Sequence, residues 1–376
     1  MASSLHEPLV MSGHIKEIRG FTEVFSPSQV FQEREAPSLH LTPSTRRRHE
    51  RIDQIALRVS VVLNIAIVGV KLVATVVSGS LAVTATLVDS VLDVLSQFIL
   101  FYTDSASKHH DATAFPAGRT RLAPLGIFIC AVLMGMASVE VIHESVVKLG
   151  LLYWSNQGAG RAGFSTLSLN PLVLAAMSFS FITKAGLYLY CIKVGKITGN
   201  DSVRAVALDH LNDLLSIISA TAAAVTSFYS DSLLWVDPVS AIAISVYIMM
   251  EWWSTAQEQA NMLVGRAAND DFLKEVRRVG NAHHPQLTVD IIRAYHFGPK
   301  YLVELEVVLP STMTLEMTHD IGMELQHKIE SFEQVERAFV HIDYQARDYD
   351  EHNEQSWPQA YADRVRETIR PKLTNV

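Results

Sequence analysis

Six stretches of this chain, near residues 59–77, 81–103, 122–147, 171–195, 205–228 and 235–253, are apolar and long enough to cross a bilayer. Crossing about 30 Å of hydrocarbon takes roughly 20 helical residues. Backbone amides have no water to bond to in that medium, so each stretch is expected to be helical and the six to pack as a bundle. Composition agrees: 49% of the 376 residues are hydrophobic and only 19% charged, more apolar and less charged than an ordinary soluble protein. Six crossings place both termini on one side. Lys and Arg gather before the first stretch (Arg46, Arg47, Arg48, Arg51), in the second connection (Lys108, Arg119, Arg121) and in the fourth (Lys193, Lys196, Arg204), whereas the first and fifth connections have none. By the positive-inside rule both ends are cytosolic, with Lys148 and Arg161 of the third connection as the contrary vote.

Carboxylates interrupt this apolar pattern in two matching places. Asp89-Ser-Val-Leu-Asp93-Val-Leu-Ser96 and Asp209-His-Leu-Asn-Asp213-Leu-Leu-Ser216 share the order Asp, three residues, Asp, apolar, Leu, Ser. An ionised carboxyl in mid-bilayer is costly, so four of them call for a compensating cation or proton. Residues four apart on a helix share a face one turn apart. Each stretch is therefore a two-carboxylate claw, and two facing claws make an oxygen-rich site for a hard metal ion.

The polar parts divide the chain further. Residues 1–50 lack a sustained apolar period and are rich in Ser, Pro, Glu and His, which predicts a disordered cytosolic tail; no apolar run follows a basic start, so no cleavable signal is expected. Residues 51–262 form the six-span domain. From 263 to 345 the composition is that of a small soluble domain, with a helix over 270–282, strands over 289–297 and 301–309 joined by Gly298-Pro299-Lys300, a helix over 314–332 and a strand over 335–344. That order suits a two-layer α+β fold. Residues 346–376 read as a polar tail with some helical tendency. Most of the net charge of −8 belongs to the polar end, which speaks against a nucleic-acid partner. Cys130 and Cys191 both lie in apolar stretches and read as packing residues, neither a disulfide nor a thiolate metal cluster.

These residues carry a resemblance. Ser78-Gly-Ser-Leu-Ala82 leading into Asp89-x3-Asp93, Phe115-Pro116-x-Gly118-Arg119-x-Arg121-Leu-x-Pro124-Leu-Gly126, Asp209-His210-x2-Asp213, Asp237-Pro238 and Leu263-Val-Gly-Arg266 are similar to motifs of the cation diffusion facilitator family, and within it of the manganese-type branch. The likeness covers roughly residues 55–345. It implies a homodimeric exporter with six transmembrane helices and a C-terminal cytosolic ferredoxin-like domain, moving divalent transition metals out of the cytosol, usually in exchange for protons. By the same resemblance Asp89, Asp93, Asp209 and Asp213 match the four membrane ligand positions. Zinc-type members typically have His where Asp209 stands, and many eukaryotic ones have a His-rich loop between the fourth and fifth spans that this chain lacks.

Carboxylate ligands suit Mn(II), whereas imidazole suits Zn(II). The four Asp, with Asn64 on the first span and Asn212 beside Asp213 as further oxygen donors, favour Mn(II), then Fe(II), and leave Zn(II) open. Repulsion among the carboxylates should keep a proton on the empty site and release it when metal binds. His210 is expected on a different helix face from Asp209, in a structural or supporting role ahead of direct ligation, which stays open as an additional metal contact. Lys71 and Lys184 are expected to snorkel or to pair within the bundle rather than touch metal. Glu140, His143 and Glu144 read as a solvated interfacial face, and His109-His110-Asp111 as an exposed loop. In the soluble part, His341 and Asp343 share a strand face, and resemblance to regulatory metal sites of the family adds His319, Asp290 and Glu306. No resident cofactor and no enzymatic activity are expected; the partners are the transported metal, protons, lipid and a second copy of the chain. An intracellular membrane (Golgi, endosome or vacuole) is the expected location, with the plasma membrane as the alternative. An intramembrane aspartyl protease is the rival of a different class, but neither Asp pair has the Gly-x-Gly-Asp setting of those enzymes. A non-transporting metal sensor is the third reading.

Overall fold

The computed structural model describes residues 43–78, 81–109, 111, 113–155, 171–229, 235–350 and 354–373. The chain divides into two compact units at Val264 and Gly265.

Among the described residues the first unit contains six long helices: α1 (Pro43–Ser78), α2 (Leu81–Ser107), α3 (Leu122–Ser155), α4 (Pro171–Thr198), α5 (Asp201–Tyr229) and α6 (Val236–Val264). Among the described residues four stretches, Ser44–Val77, Thr86–Ser107, Leu122–Trp154 and Ala175–Thr198, are long and apolar enough to cross a membrane. Helices α5 and α6 are as long but more polar, with Asp209, His210, Asn212 and Asp213 on one and Glu251, Gln257, Glu258 and Gln259 on the other. The first helix starts earlier than composition suggested. Residues 43–50, assigned from sequence to the disordered tail, are its opening turns, and Arg46 pairs there with Glu50 at 3.3 Å, one turn apart.

Helices α1, α2, α4 and α5 pack on one another, and α3 with α6 packs alongside. Two features set their registers. Gly199, at φ 69°, ends α4, and the Asn200 side chain caps α5 by accepting from the N–H groups of Ser202 and Val203 at 2.8 and 3.3 Å. The connection is so short that α4 and α5 must run antiparallel side by side. Gly126 on α3 lets that helix approach α2 closely: a Cβ there would lie 2.7 Å from Thr103 Cβ and 2.9 Å from its Cγ2. Gly126→Ala is therefore expected to lower the melting temperature of the detergent-solubilised protein by several degrees, at a cost of about 1–3 kcal/mol for overpacking. Gly135→Ala, where nothing lies within 4 Å, should leave the melting temperature unchanged, and equal behaviour of the two would disprove the close approach.

One end of the bundle is tightly packed. Ala56, Leu57, Leu100, Ile127, Cys130, Cys191, Val194 and Val203 form a buried core at the end that carries the α2–α3 and α4–α5 connections. Polar groups close the same end, where Asn200 donates to Asp53 (3.0 Å) and Asp104 (2.9 Å), and Lys108 pairs with Asp104 at 2.7 Å.

The second unit has α7 (Asp270–Asn281), β1 (Thr288–Phe297), β2 (Lys300–Val308), α8 (Leu315–Glu330) and β3 (Val335–Asp343), followed by a single 3-10 turn and α9 (Gln359–Leu373). The sheet order is β1-β2-β3, antiparallel then parallel. Gly298, at φ 73°, makes the hairpin turn. On the central strand Val303, Leu305 and Val307 are fully buried against Val276, Leu325 and Ile329 of α7 and α8. The alternate residues Glu304 and Glu306 face a charged surface with Arg293.

Candidate metal centre in the helix bundle

The α4–α5 hairpin brings the first two site residues together. Lys184 stands 15 residues before Gly199 and Asp213 stands 14 after it, so at 1.5 Å per residue both lie at the same depth, about 22 Å from the turn. The Lys184 ammonium pairs with Asp213 Oδ2, and lies 2.6 Å from Asp93 Oδ2 on α2. Carboxylates of both claws therefore meet on one cation. Lys184 is 3% exposed and Asp93 5%; neither charge would be tolerated so deep without the other.

Asp209 is fixed from the other side. Its Oδ2 accepts from Gln97 Nε2 at 3.1 Å, and Gln97 Oε1 accepts from Asn64 Nδ2 (2.6 Å) and Ser60 Oγ (2.8 Å). The Ser60 hydroxyl has one proton, given to Gln97, so its 2.8 Å contact with His210 Nε2 must be donated by the imidazole. His210 is then the Nε2–H tautomer. Its Nδ1 keeps its lone pair and has no hydrogen-bond partner among the described residues. One ligating atom each from Asp209, His210 and Asp213 lie within 4.8 Å of one another. His210 is thus closer to the acidic cluster than a different helix face suggested. Asn64 instead serves as a donor to Gln97 and to the Ser60 carbonyl. Asn212 is buried beside Asp213, and its amide atoms have no hydrogen-bond partner among the described residues. Gln97 and Ser60 escaped the sequence reading, although Gln97 follows Asp93 by four residues and Ser60 precedes Asn64 by four, the same spacing that picks out the claws.

Asp89 lines a cavity of about 200 Å³ with Asp93, Asp213, Lys184, Lys71, Ser90 and Ser180. The cavity extends toward the C-terminal part of α1 and the N-terminal part of α2, away from the packed end of the bundle. Lys71 donates to Ser90 Oγ (2.7 Å) and the Thr86 carbonyl (3.1 Å) on its wall. Four carboxylates and two ammonium groups share this region.

The other ligand-type residues do not gather. His143 lies 4.0 Å from Glu140, and Lys148 pairs with Glu144, all well exposed. Asp111 accepts from the N–H groups of Thr113 and Ala114 and faces Arg119 at 3.6 Å; His110 lies outside the described residues. In the second unit His319, His341 and Asp343 are not among the described ligand-type residues that gather within 4.8 Å of one another. Asp343 pairs with Arg347 and accepts from the N–H groups of Tyr344 and Gln345. Partial burial pushes its carboxyl up, but those donors outweigh it and hold the group below the ordinary range. The His319 side chain is 66% exposed and bonded to Asp320, Glu306 is held by Arg293, and Arg277 donates to the Asp290 carbonyl.

Buried carboxylates from two helices meeting on the Lys184 ammonium inside an apolar bundle, and a separate α+β unit in the same chain, define a polytopic membrane protein. Residues 57–264 match the cation efflux transmembrane domain, and residues 268–345 match the cytoplasmic domain of cation efflux proteins. Metal tolerance protein 4 of Oryza sativa subsp. japonica is 36% identical over 81% of this chain and 74% of its own length. Metal tolerance protein 11 of Arabidopsis thaliana is 35% identical over 80% and 73%, and Metal tolerance protein 10 of the same plant 34% over 91% and 77%. The chain belongs to the cation efflux, or cation diffusion facilitator, family. It is a multi-pass integral membrane protein that carries out cation efflux.

Proposed function

We propose that this protein exports divalent metal cations from the cytosol, with Mn(II) preferred, in exchange for protons. The meeting of Asp93 and Asp213 on one ammonium carries the reading, because it puts the two claws a single cation apart. The relatives are named for metal tolerance, and that name supplies the class of cargo. Asp89, Asp93, Asp209 and Asp213 are the ligands in this reading, and their hard oxygens favour Mn(II). Lys184 and Lys71 bring two positive charges to the region of the four carboxylates, so two negative charges are left for protons when the cargo departs, with Asp89 and Asp209 as the carboxylates that take them.

Residues 51–262 are the transport domain, all six helices cross the membrane, and residues 263–345 join two copies of the chain as a cytosolic homodimer contact. With both termini cytosolic, the packed end around Asp53, Asp104 and Asn200 faces the cytosol. The cavity beside Asp89 then faces the release side, and alternating access would close it and open the other end. The membrane is assigned to Golgi, endosome or vacuole. A second reading is zinc export, favoured by the imidazole of His210, one ring nitrogen of which lies within 4.8 Å of a carboxylate oxygen of Asp209 and of Asp213.

Uptake by proteoliposomes with an acidic interior tests the proposal. Mn(II) should enter faster than Zn(II) or Fe(II), accelerated by the proton gradient and accompanied by alkalinisation of the lumen. Uptake that neither responds to the gradient nor moves protons would remove the exchange mechanism and leave the exporter.

A further inference from the structure

We infer that Lys184 is a tethered counter-cation that competes with the metal for Asp93 and Asp213. The inference rests on the proposed assignment of those carboxylates to the cargo.

The ammonium sits between the two claws, contributed by a third helix, and gives hydrogen bonds to Asp93 Oδ2 and Asp213 Oδ2. A divalent ion reaching the same two oxygens would need metal–oxygen distances of about 2.0–2.6 Å. It would then be in contact with the ammonium, positive against positive in a weakly screening medium. The two cations cannot share the gap, so loading must displace the lysine.

The structure supplies a place for it to go. Lys184 lines the cavity of about 200 Å³, and its four-carbon stem is flexible enough to swing the charge into it. Ser180, one turn earlier on α4, lines the same cavity; its hydroxyl is buried, with no hydrogen-bond partner among the described residues. That oxygen can receive the displaced ammonium. In the unloaded protein the lysine returns and stands in for the metal. Bare carboxylates are then never left in the bilayer while the empty transporter turns over.

A neutral side chain at this position should therefore bind cargo more tightly and cycle more slowly. Full-length protein in lipid nanodiscs, titrated with Mn(II), is expected to show a Kd about tenfold lower for Lys184→Met than for wild type. Lys184→Arg keeps the charge and should stay within about threefold of wild type. In proteoliposomes Lys184→Met should lower both KM and the maximal rate, a split that mere loss of packing does not produce. A folded Lys184→Met protein with unchanged or weaker Mn(II) affinity overturns the inference.

A measurement on wild type covers the case in which the variant does not fold. Reductive methylation read by peptide mass spectrometry should modify Lys184 faster when Mn(II) is bound; an unchanged or slower rate with Mn(II) bound counts against displacement. Asp209→Asn and Asp213→Asn separate the two levels. If both retain wild-type Mn(II) affinity, the cargo assignment itself fails, whatever Lys184 does.

Discussion

Asp213→Asn is expected to reduce Mn(II) uptake by at least about a hundredfold, which corresponds to roughly 2.7 kcal/mol. Asparagine keeps the size and shape of the side chain and removes only the charge. Unit charges about 4 Å apart interact by roughly 4 kcal/mol at an effective dielectric near 20, and a divalent ion doubles that. Removal of one carboxylate charge therefore exceeds what a hundredfold loss requires. Asp213 is the critical member because it faces Asp93 across the Lys184 ammonium, so both claws depend on it. The same substitution leaves Lys184 with a single partner and weakens the bundle, which makes a melting measurement beside the uptake assay necessary. A variant that melts within a few degrees of wild type yet has lost transport assigns the loss to the site. A folded variant transporting within about threefold of wild type would place the cargo elsewhere.

The membrane segments and the four aspartates were legible in the sequence for the same reason: charge is expensive in hydrocarbon, so an Asp repeated at helical spacing inside an apolar run stands out. The soluble unit was legible because its strands alternate and its helices begin at Asn269 and Thr314, whose side chains cap the first turn. Contacts between helices were harder to read. Periodicity gives the face of one helix but not its rotation and depth against another, so the pairing of Lys184 with both claws had no signature of its own. Part of it was available in the two-residue turn at Gly199 and Asn200, which sets Lys184 and Asp213 at one depth. The Asp343–Arg347 pair in the soluble unit escaped for a related reason. His341 and Asp343 do lie two apart on a strand, but Arg347, four residues beyond Asp343, folds back onto its carboxylate. The charge balance also differs from the sequence reading, which assigned compensation of the empty site to protons. A buried lysine supplies part of it.

Asp209→His is expected to raise the ratio of Zn(II) to Mn(II) uptake by about tenfold or more. Asp209 is buried and receives a hydrogen bond from Gln97; a neutral imidazole there has one lone-pair nitrogen, and giving it to the metal takes it from Gln97. The site loses one negative charge and gains a nitrogen donor, and the change from oxygen toward mixed nitrogen and oxygen donors is the one that separates zinc from manganese sites. Because Mn(II) is at the weak end of the affinity order, the wild-type preference depends on donor hardness and geometry, and one ligand is enough to disturb it. The comparison is made in the same proteoliposomes, with each metal offered separately and then in competition. If wild type carries zinc as well as manganese and Asp209→His leaves the ratio unchanged, the membrane carboxylates hold the cargo without choosing it. Selectivity would then have to arise from the surroundings of the cluster, beginning with the Ser60, Gln97 and His210 network that orients Asp209.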